Sequence, residues 1–436
     1  MRYLISFLFL LGCASNLSAQ EKIKTYYDDE KYSLMEEYYV IEKDTVVLEG
    51  PYKKYSPTGQ IIVTGNYIDG KREGEFLNIY ENGQTQRKTT YQRGLRQGMT
   101  EVFDQNGNLI QQVQFRNDSL IGELVTYFPN GKTKNTTSFK NGKPDGLVKE
   151  YYPSGILKEE VNYKNGKQHG LNTTYYESGS PKSKINYTFG VIDGVMISYY
   201  PNGQMDTKAT QSNHSLHGDY IKYFSNGQIK LQGQYENGMR NGEFKSYYAD
   251  GSLEKKLNIV DDKMTGANFT YFPDGELKIK ANYSNDEKNW TAEEYNQSGK
   301  LIAIRQYKDE FKSGTWKYFN SKGGLVLKEN YEQGKLEGKR IEYDEKGNTT
   351  KVEPYEKGKK HGEATTYFSN GKKAEVMNYK FNRLDGDYIK YYKSQDLEIT
   401  GRYTRNEKNG DWIYYDKKGE VLKKETYKFG RLVSEK

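Results

Sequence analysis

The chain of 436 residues contains one cysteine, Cys13. Disulfides, zinc–thiolate clusters and thiol catalysis are therefore excluded from the folded part of the chain. Histidine is nearly as scarce, with four residues. His169 and His361 each precede a recurring glycine and read as turn residues. His214 and His217, in SNHSLHG, lack a cysteine or other third ligand beside them and do not read as a metal site. Hydrophobic residues make up only 34% of the chain, yet tyrosine alone contributes 42. So few leucines, valines and isoleucines cannot build a deep spherical core, whereas a thin sheet covered by tyrosine rings is within reach. The apolar run from Leu4 to Leu11 is far short of the ~20 residues a membrane-spanning helix needs, so no transmembrane segment is expected once it is removed.

That run belongs to a leader. Arg2, the apolar stretch and the small residues ending at Ala19 follow the layout of a secretory signal, with cleavage between Ala19 and Gln20. The alternative is a lipoprotein signal, in which Leu10, Leu11 and Gly12 precede a lipidated Cys13. Either way the chain is read as exported: periplasmic, outer-membrane-associated or secreted. Without residues 1–19, 65 basic residues face 59 acidic ones, a formal charge of +6. Mixed along so long a chain, this leaves no nucleic-acid footprint.

What is abundant is repetition. FKNGKPDGLVKEYYPSGILKEEVNY, residues 139–163, returns as YKNGKQHGLNTTYYESGSPKSKINY, residues 163–187, which fixes a period of 24. One glycine series runs from Gly50 to Gly410 through Gly146 and Gly170, broken only by Trp290. A second runs from Gly59 to Gly419 through Gly155, broken only by Gln395. A strict period over most of a chain marks a repeat architecture in which each unit needs only its neighbours. The expected organisation is a signal peptide at 1–19, N-terminal cap strands at 20–49, a repeat array at 50–430 and a C-terminal tail at 431–436.

Each unit reads as two strands. The first ends in an aromatic slot (Tyr55, Tyr127, Tyr151 and onward to Tyr415), followed by a turn such as Pro129-Asn130-Gly131. A three-residue hairpin loop closes on a left-handed residue, which accounts for the second glycine series. This loop predicts Tyr55 opposite Ile61, Tyr151 opposite Leu157, Tyr247 opposite Leu253 and Tyr295 opposite Leu301. The aromatic slot from Tyr67 through Tyr163 to Tyr427 is an even number of residues beyond Ile61 and its equivalents, so one face carries the core. Asn-Gly pairs such as Asn165-Gly166 then mark two-residue hairpins. Asp118, Asp262, Asp286, Asn382 and Asn406 substitute for that glycine acceptably, whereas His214 and Glu310 fit less well. The fold class is all-β: an elongated antiparallel hairpin meander of about 32 strands. Gln211, Ile259 and Trp290 break the pattern between residues 203 and 290, as drift in a tolerant array or as a bend or partner site.

Units of the form Y-x-N-G-K-x-x-G followed by Y-Y-x-N-G, seen best in YKNGKQHG (163–170) and YEKGKKHG (355–362), resemble MORN repeats. The variant they are most similar to is the bacterial one, found in tandem in proteins labelled antitoxin components. The resemblance covers residues 50–430 and implies a hairpin array used as a scaffold. Some eukaryotic members are linked to phospholipid binding and others to protein assembly. An antitoxin role conflicts with the leader, because an exported protein does not meet a cytoplasmic toxin.

Nothing in the sequence assembles a reactive centre. Carboxylates such as Glu159, Glu160, Asp261 and Asp262 are paired by no motif. The glycines are spaced for hairpins, and GKxxG is not a phosphate loop. The reading is a non-enzymatic envelope scaffold that needs no cofactor or metal and binds a protein partner. The alternatives are a glycan or cell-wall binder using exposed tyrosine rows, and a phospholipid-surface protein.

Overall fold

The computed structural model describes residues 19–42, 45–284 and 287–436. Cys13, the leader and Asp286 lie outside the described residues. Among the described residues every regular element is a β-strand. The chain divides into two compact units, Met1–Gly203 and Gln204–Lys436, separated within a three-residue loop. In the first, Glu21–Tyr26, Leu34–Glu42, Val46–Tyr55, Ile61–Ile68 and Lys71–Ile79 pair antiparallel in chain order, and the meander continues to Val191–Tyr199. The second begins at Met205–Ser212 and follows the same rule to Gly410–Tyr415, Val421–Lys428 and Arg431–Glu435.

Two end segments hold more structure than their composition suggested. The cap region contains the strands Glu21–Tyr26 and Leu34–Glu42, and Val46 begins a strand that runs into the first repeat. Residues 431–436, expected as a tail, contain Arg431–Glu435, hydrogen-bonded to the strand before it. Pairing satisfies backbone groups whatever the side chains, so a polar composition does not forbid a strand.

The three-residue loop has the expected geometry. Ser56 N–H donates to Gln60 O at 2.7 Å and Gly59 N–H to Ser56 O at 2.9 Å, with Gly59 at φ 83°. The predicted register follows: Tyr55 faces Ile61, Tyr151 faces Leu157, Tyr247 faces Leu253 and Tyr295 faces Leu301. In the two-residue turns both residues have positive φ, as at Asn165 and Gly166. His214 at 67° and Glu310 at 68° adopt this backbone too, so the ladder imposes the turn on residues that disfavour it.

The first glycine series has a different function. At Gly74 (φ 75°) pairing with the preceding strand slips from Thr64 opposite Leu77 to Asn66 opposite Glu73. This is a bulge, and its left-handed corner is open to glycine at no steric cost. Trp290 occupies the equivalent position without a bulge. Five successive pairs, from Ile279 opposite Glu294 to Tyr283 opposite Trp290, run with no slip. The residues the bulge would absorb lie in a longer connection closed by Ser284 N–H donating to Asn289 O at 2.8 Å.

The core is a column two residues beyond each first-series glycine. Phe76, Phe244, Trp316 and Trp412 are 2–4% exposed there. Gly65, Gly233 and Gly401 lie beside Phe76, Phe244 and Trp412, so bulk on one strand fills space left by its neighbour.

Candidate interaction surfaces

Within the repeat each predicted position has a defined place. Gly146 pairs with Tyr163 and Gly170 with Tyr187, so the second aromatic column lies across from the bulge glycines. Gly155 closes its three-residue loop by donating to Tyr152 O at 2.8 Å, and Gly166 completes the next two-residue turn. Ala19 and Gln20 are exposed just before the first strand.

The aromatic columns face inward. Every aromatic in the series from Tyr55 and from Tyr67 is buried or half-buried. Tyr67 contacts Tyr52 and Phe76 edge-on with ring centroids 5.5 Å apart, and Phe76 contacts Tyr91 at 5.3 Å. Edge-on pairs of this kind add about 0.5–1.5 kcal/mol beyond area burial. The cluster returns seven repeats later as Tyr220–Tyr235–Phe244, and seven further as Tyr388–Tyr403–Trp412. Burial holds the Tyr235 and Tyr403 hydroxyls above the ordinary tyrosine range. Arg72, Lys312 and Lys408 lie over rings of the same column. Where Trp290 replaces the glycine, its ring takes this covering position and stacks on Tyr307 at 4.0 Å and 14°.

A second tyrosine, just after the first aromatic slot, ties one unit to the next. Tyr152 donates its hydroxyl to Tyr175 O at 2.9 Å, Tyr176 to Tyr199 O at 2.7 Å and Tyr248 to Tyr271 O at 2.9 Å. Where aspartate stands there, it caps its own loop instead: Asp104 accepts from the Asn106 and Asn108 N–H groups at 2.9 Å.

The two-residue turns are stitched as well. The residue before a first-series glycine accepts an N–H from the next turn: Asp145 from Asn165 at 2.9 Å, Glu337 from Lys357 at 2.7 Å. His169 does the same for Phe189 through Nδ1 at 3.4 Å, with their rings 4.5 Å apart, and His361 lies 4.6 Å from the Phe381 ring. His169 is thereby a structural bridge, whereas His361 keeps the ring contact without the hydrogen bond at Nδ1. Asp118 and Asp262, in the glycine slot, accept the backbone N–H of Arg96 and Arg240 and pair with their guanidinium groups at 3.0 and 2.8 Å. The Arg96 N–H bond acting on Asp118, and the Arg240 guanidinium acting on Asp262, hold these carboxyls below their usual range.

One stretch of the core column is ionic. Glu329, Glu353 and Glu425, at the repeat position of Gly65, remain 3–8% exposed. Arg340 contacts Glu329 and Glu353 at 3.2 Å and also Glu342, while Glu353 meets Lys360 at 2.6 Å and Lys351 at 2.8 Å. Among the described residues no three histidine, cysteine or acidic side chains converge as for a metal, and no helix is long and apolar enough to cross a membrane. His217 lines an open hollow of about 330 Å³ with Gln234, Tyr235 and Asn241.

The family described as MORN repeat variant matches eleven segments, ten of them from 48–69 through 264–285 and the last at 360–381, together more than half of the chain. The chain is a MORN-repeat protein. No curated protein matches this MORN-repeat chain. Among solved structures, TcdB2-TccC3 without its hypervariable C-terminal region is 12% identical, with 93% of this chain and 26% of that one covered and a TM-score of 0.16. The Photorhabdus luminescens Tc holotoxin pore is also 12% identical over 90% and 29%, at 0.14. A Lactobacillus plantarum protein is 13% identical over 67% and 96%, at 0.12. The chain spans about a quarter of the length of the toxin chains it matches.

Sequence reasoning did not find the buried column, the tyrosine clasps or the turn bridges. The recurrence of Tyr-x12-Gly-x10-Phe/Trp at residues 52–76, 220–244 and 388–412 is the one signal that would have revealed the column.

Proposed function

We propose that this MORN-repeat protein is an exported, non-enzymatic scaffold of the bacterial envelope that binds a protein partner through the exposed surface of its hairpins. MORN repeats in general serve interaction with proteins or membranes. What supports the protein reading is the internal use of the aromatic columns. Their rings are turned into one another and the clasp hydroxyls are given to the next repeat. A stacked sugar needs an open ring face, and these columns present none that is fully exposed. The remaining surface is a periodic set of polar turns and strand residues, suited to a partner that contacts several repeats.

The test is capture from a native envelope fraction with the full chain as bait, followed by cross-link mapping. A partner held in fixed ratio with cross-links on successive turns is expected. Retention on peptidoglycan or anionic vesicles, with no protein held, would overturn the reading. Cell fractionation and the mass of the mature N-terminus test export and cleavage at Ala19.

A further inference from the structure

The modest net charge conceals an uneven distribution. Pairing brings turns 24 residues apart in sequence to one edge of the second unit, successive turns being separated by two strands. On the edge formed by two-residue turns, residues 357–359, 380–383, 405–407 and 428–431 read Lys-Gly-Lys, Lys-Phe-Asn-Arg, Arg-Asn-Glu and Lys-Phe-Gly-Arg. All of these residues are exposed and Glu407 is the one acid among them, while Glu356, half-buried beside His361, precedes the first group and the Glu337 carboxylate accepts the Lys357 N–H. None of their cations is in an ion pair with another described residue. The opposite edge, formed by three-residue loops, mixes both signs, as in Asp344-Glu345-Lys346 and Asp416-Lys417-Lys418.

This edge also carries apolar rings. Phe381 is 49% and Phe429 66% exposed, each between a lysine and an arginine and two repeats apart. A purely electrostatic contact has no use for exposed phenylalanine, whereas a partner offering carboxylates beside apolar side chains satisfies both. Neighbouring turns recur at two strand spacings, about 9.6 Å. A polyproline-type extended chain presents the same face every three residues, about 9.3 Å. The two repeats agree.

We propose that the two-residue-turn edge between Lys357 and Arg431 docks an extended acidic polypeptide segment, with a carboxylate at every third residue and apolar side chains near Phe381 and Phe429. This deepens the protein-scaffold reading and rests on it.

The probe is a fluorescent eighteen-residue peptide of repeating Glu-Leu-Pro, titrated against the full chain at low and moderate salt. The triple reversal Lys359→Glu, Arg383→Glu, Arg431→Glu is expected to weaken binding at least tenfold. The matched reversal on the other edge, Lys300→Glu, Lys346→Glu, Lys418→Glu, should change it less than threefold. Phe381→Ser with Phe429→Ser should weaken it severalfold without altering the salt dependence. Unchanged strand signal and melting temperature establish that each variant is folded. Equal loss in both triple variants would reduce the effect to net charge and overturn the proposal, as would tighter binding to single-stranded DNA or anionic vesicles than to the peptide. A captured partner that binds the edge variant as well as the wild type sinks this inference and leaves the scaffold reading standing. If no protein is ever captured, the scaffold reading itself falls.

Discussion

The Phe76 ring occupies the space a side chain on Gly65 would need: a Cβ built on Gly65 would lie 2.4 Å from the ring edge. Phe244 over Gly233 and Trp412 over Gly401 repeat the relationship seven and fourteen units on. Gly65 has no left-handed backbone, so space and not conformation selects glycine here. Gly65→Ala is expected to destabilise the first unit by about 1–3 kcal/mol through overpacking against a ring that is 4% exposed. Denaturant unfolding of the variant checks this, and Gly65→Ala combined with Phe76→Leu should recover part of the loss.

Trp290→Gly restores the residue the repeat calls for, yet it should destabilise the protein by about 2 kcal/mol. The loss is the ring stacked between Tyr283 at 5.6 Å and Tyr307 at 4.0 Å, in a strand that no longer forms a bulge. Trp290→Phe should retain most of the stability. Melting temperatures of the two variants decide between a stacked ring and a residue left by drift.

Asp262 has φ 66° and is held by Arg240. Asp262→Ala combines backbone strain with loss of a hydrogen bond to Arg240 and is expected to lower the unfolding midpoint. Asp262→Gly loses the bond but relieves the strain, and should sit clearly closer to wild type. The order of the two unfolding midpoints is the measurement.

Burial by itself raises the Glu353 carboxyl, but the hydrogen bonds and charges of Lys351 and Lys360 outweigh it and hold the group at about 2, against 4.5 unfolded. Its folded value is depressed, so its contribution is complete above pH 4.5 and is lost as the pH falls towards 2. Unfolding midpoints should decline across that window. Glu353→Gln should flatten the decline, at a cost of about 1–2 kcal/mol at pH 7 where Lys351 and Lys360 lose their carboxylate and Arg340 loses one of three.

Local chemistry made the backbone legible from the chain alone. Loop closure within five residues and positive φ at Gly59 and Asn165-Gly166 fix the turns, and the turns fix Tyr151 opposite Leu157. The interaction surface was far less legible. Lys359, Arg383 and Arg431 are spread over 73 positions of a sequence with nearly balanced charge, and become one basic edge only when strands stack.

The amino-acid sequence by itself determined the period, the turn types, the register within each hairpin and the all-β class, because each depends on backbone conformation over a few adjacent residues. The tertiary structure alone decided that Phe76 lies over Gly65, that Trp290 abolishes a bulge, and that His169 bridges to Phe189. Those contacts join residues 7 to 20 apart on neighbouring strands or successive turns, and the bulge at first-series glycines shifts which side chains face inward, so strict alternation along the sequence does not reveal them.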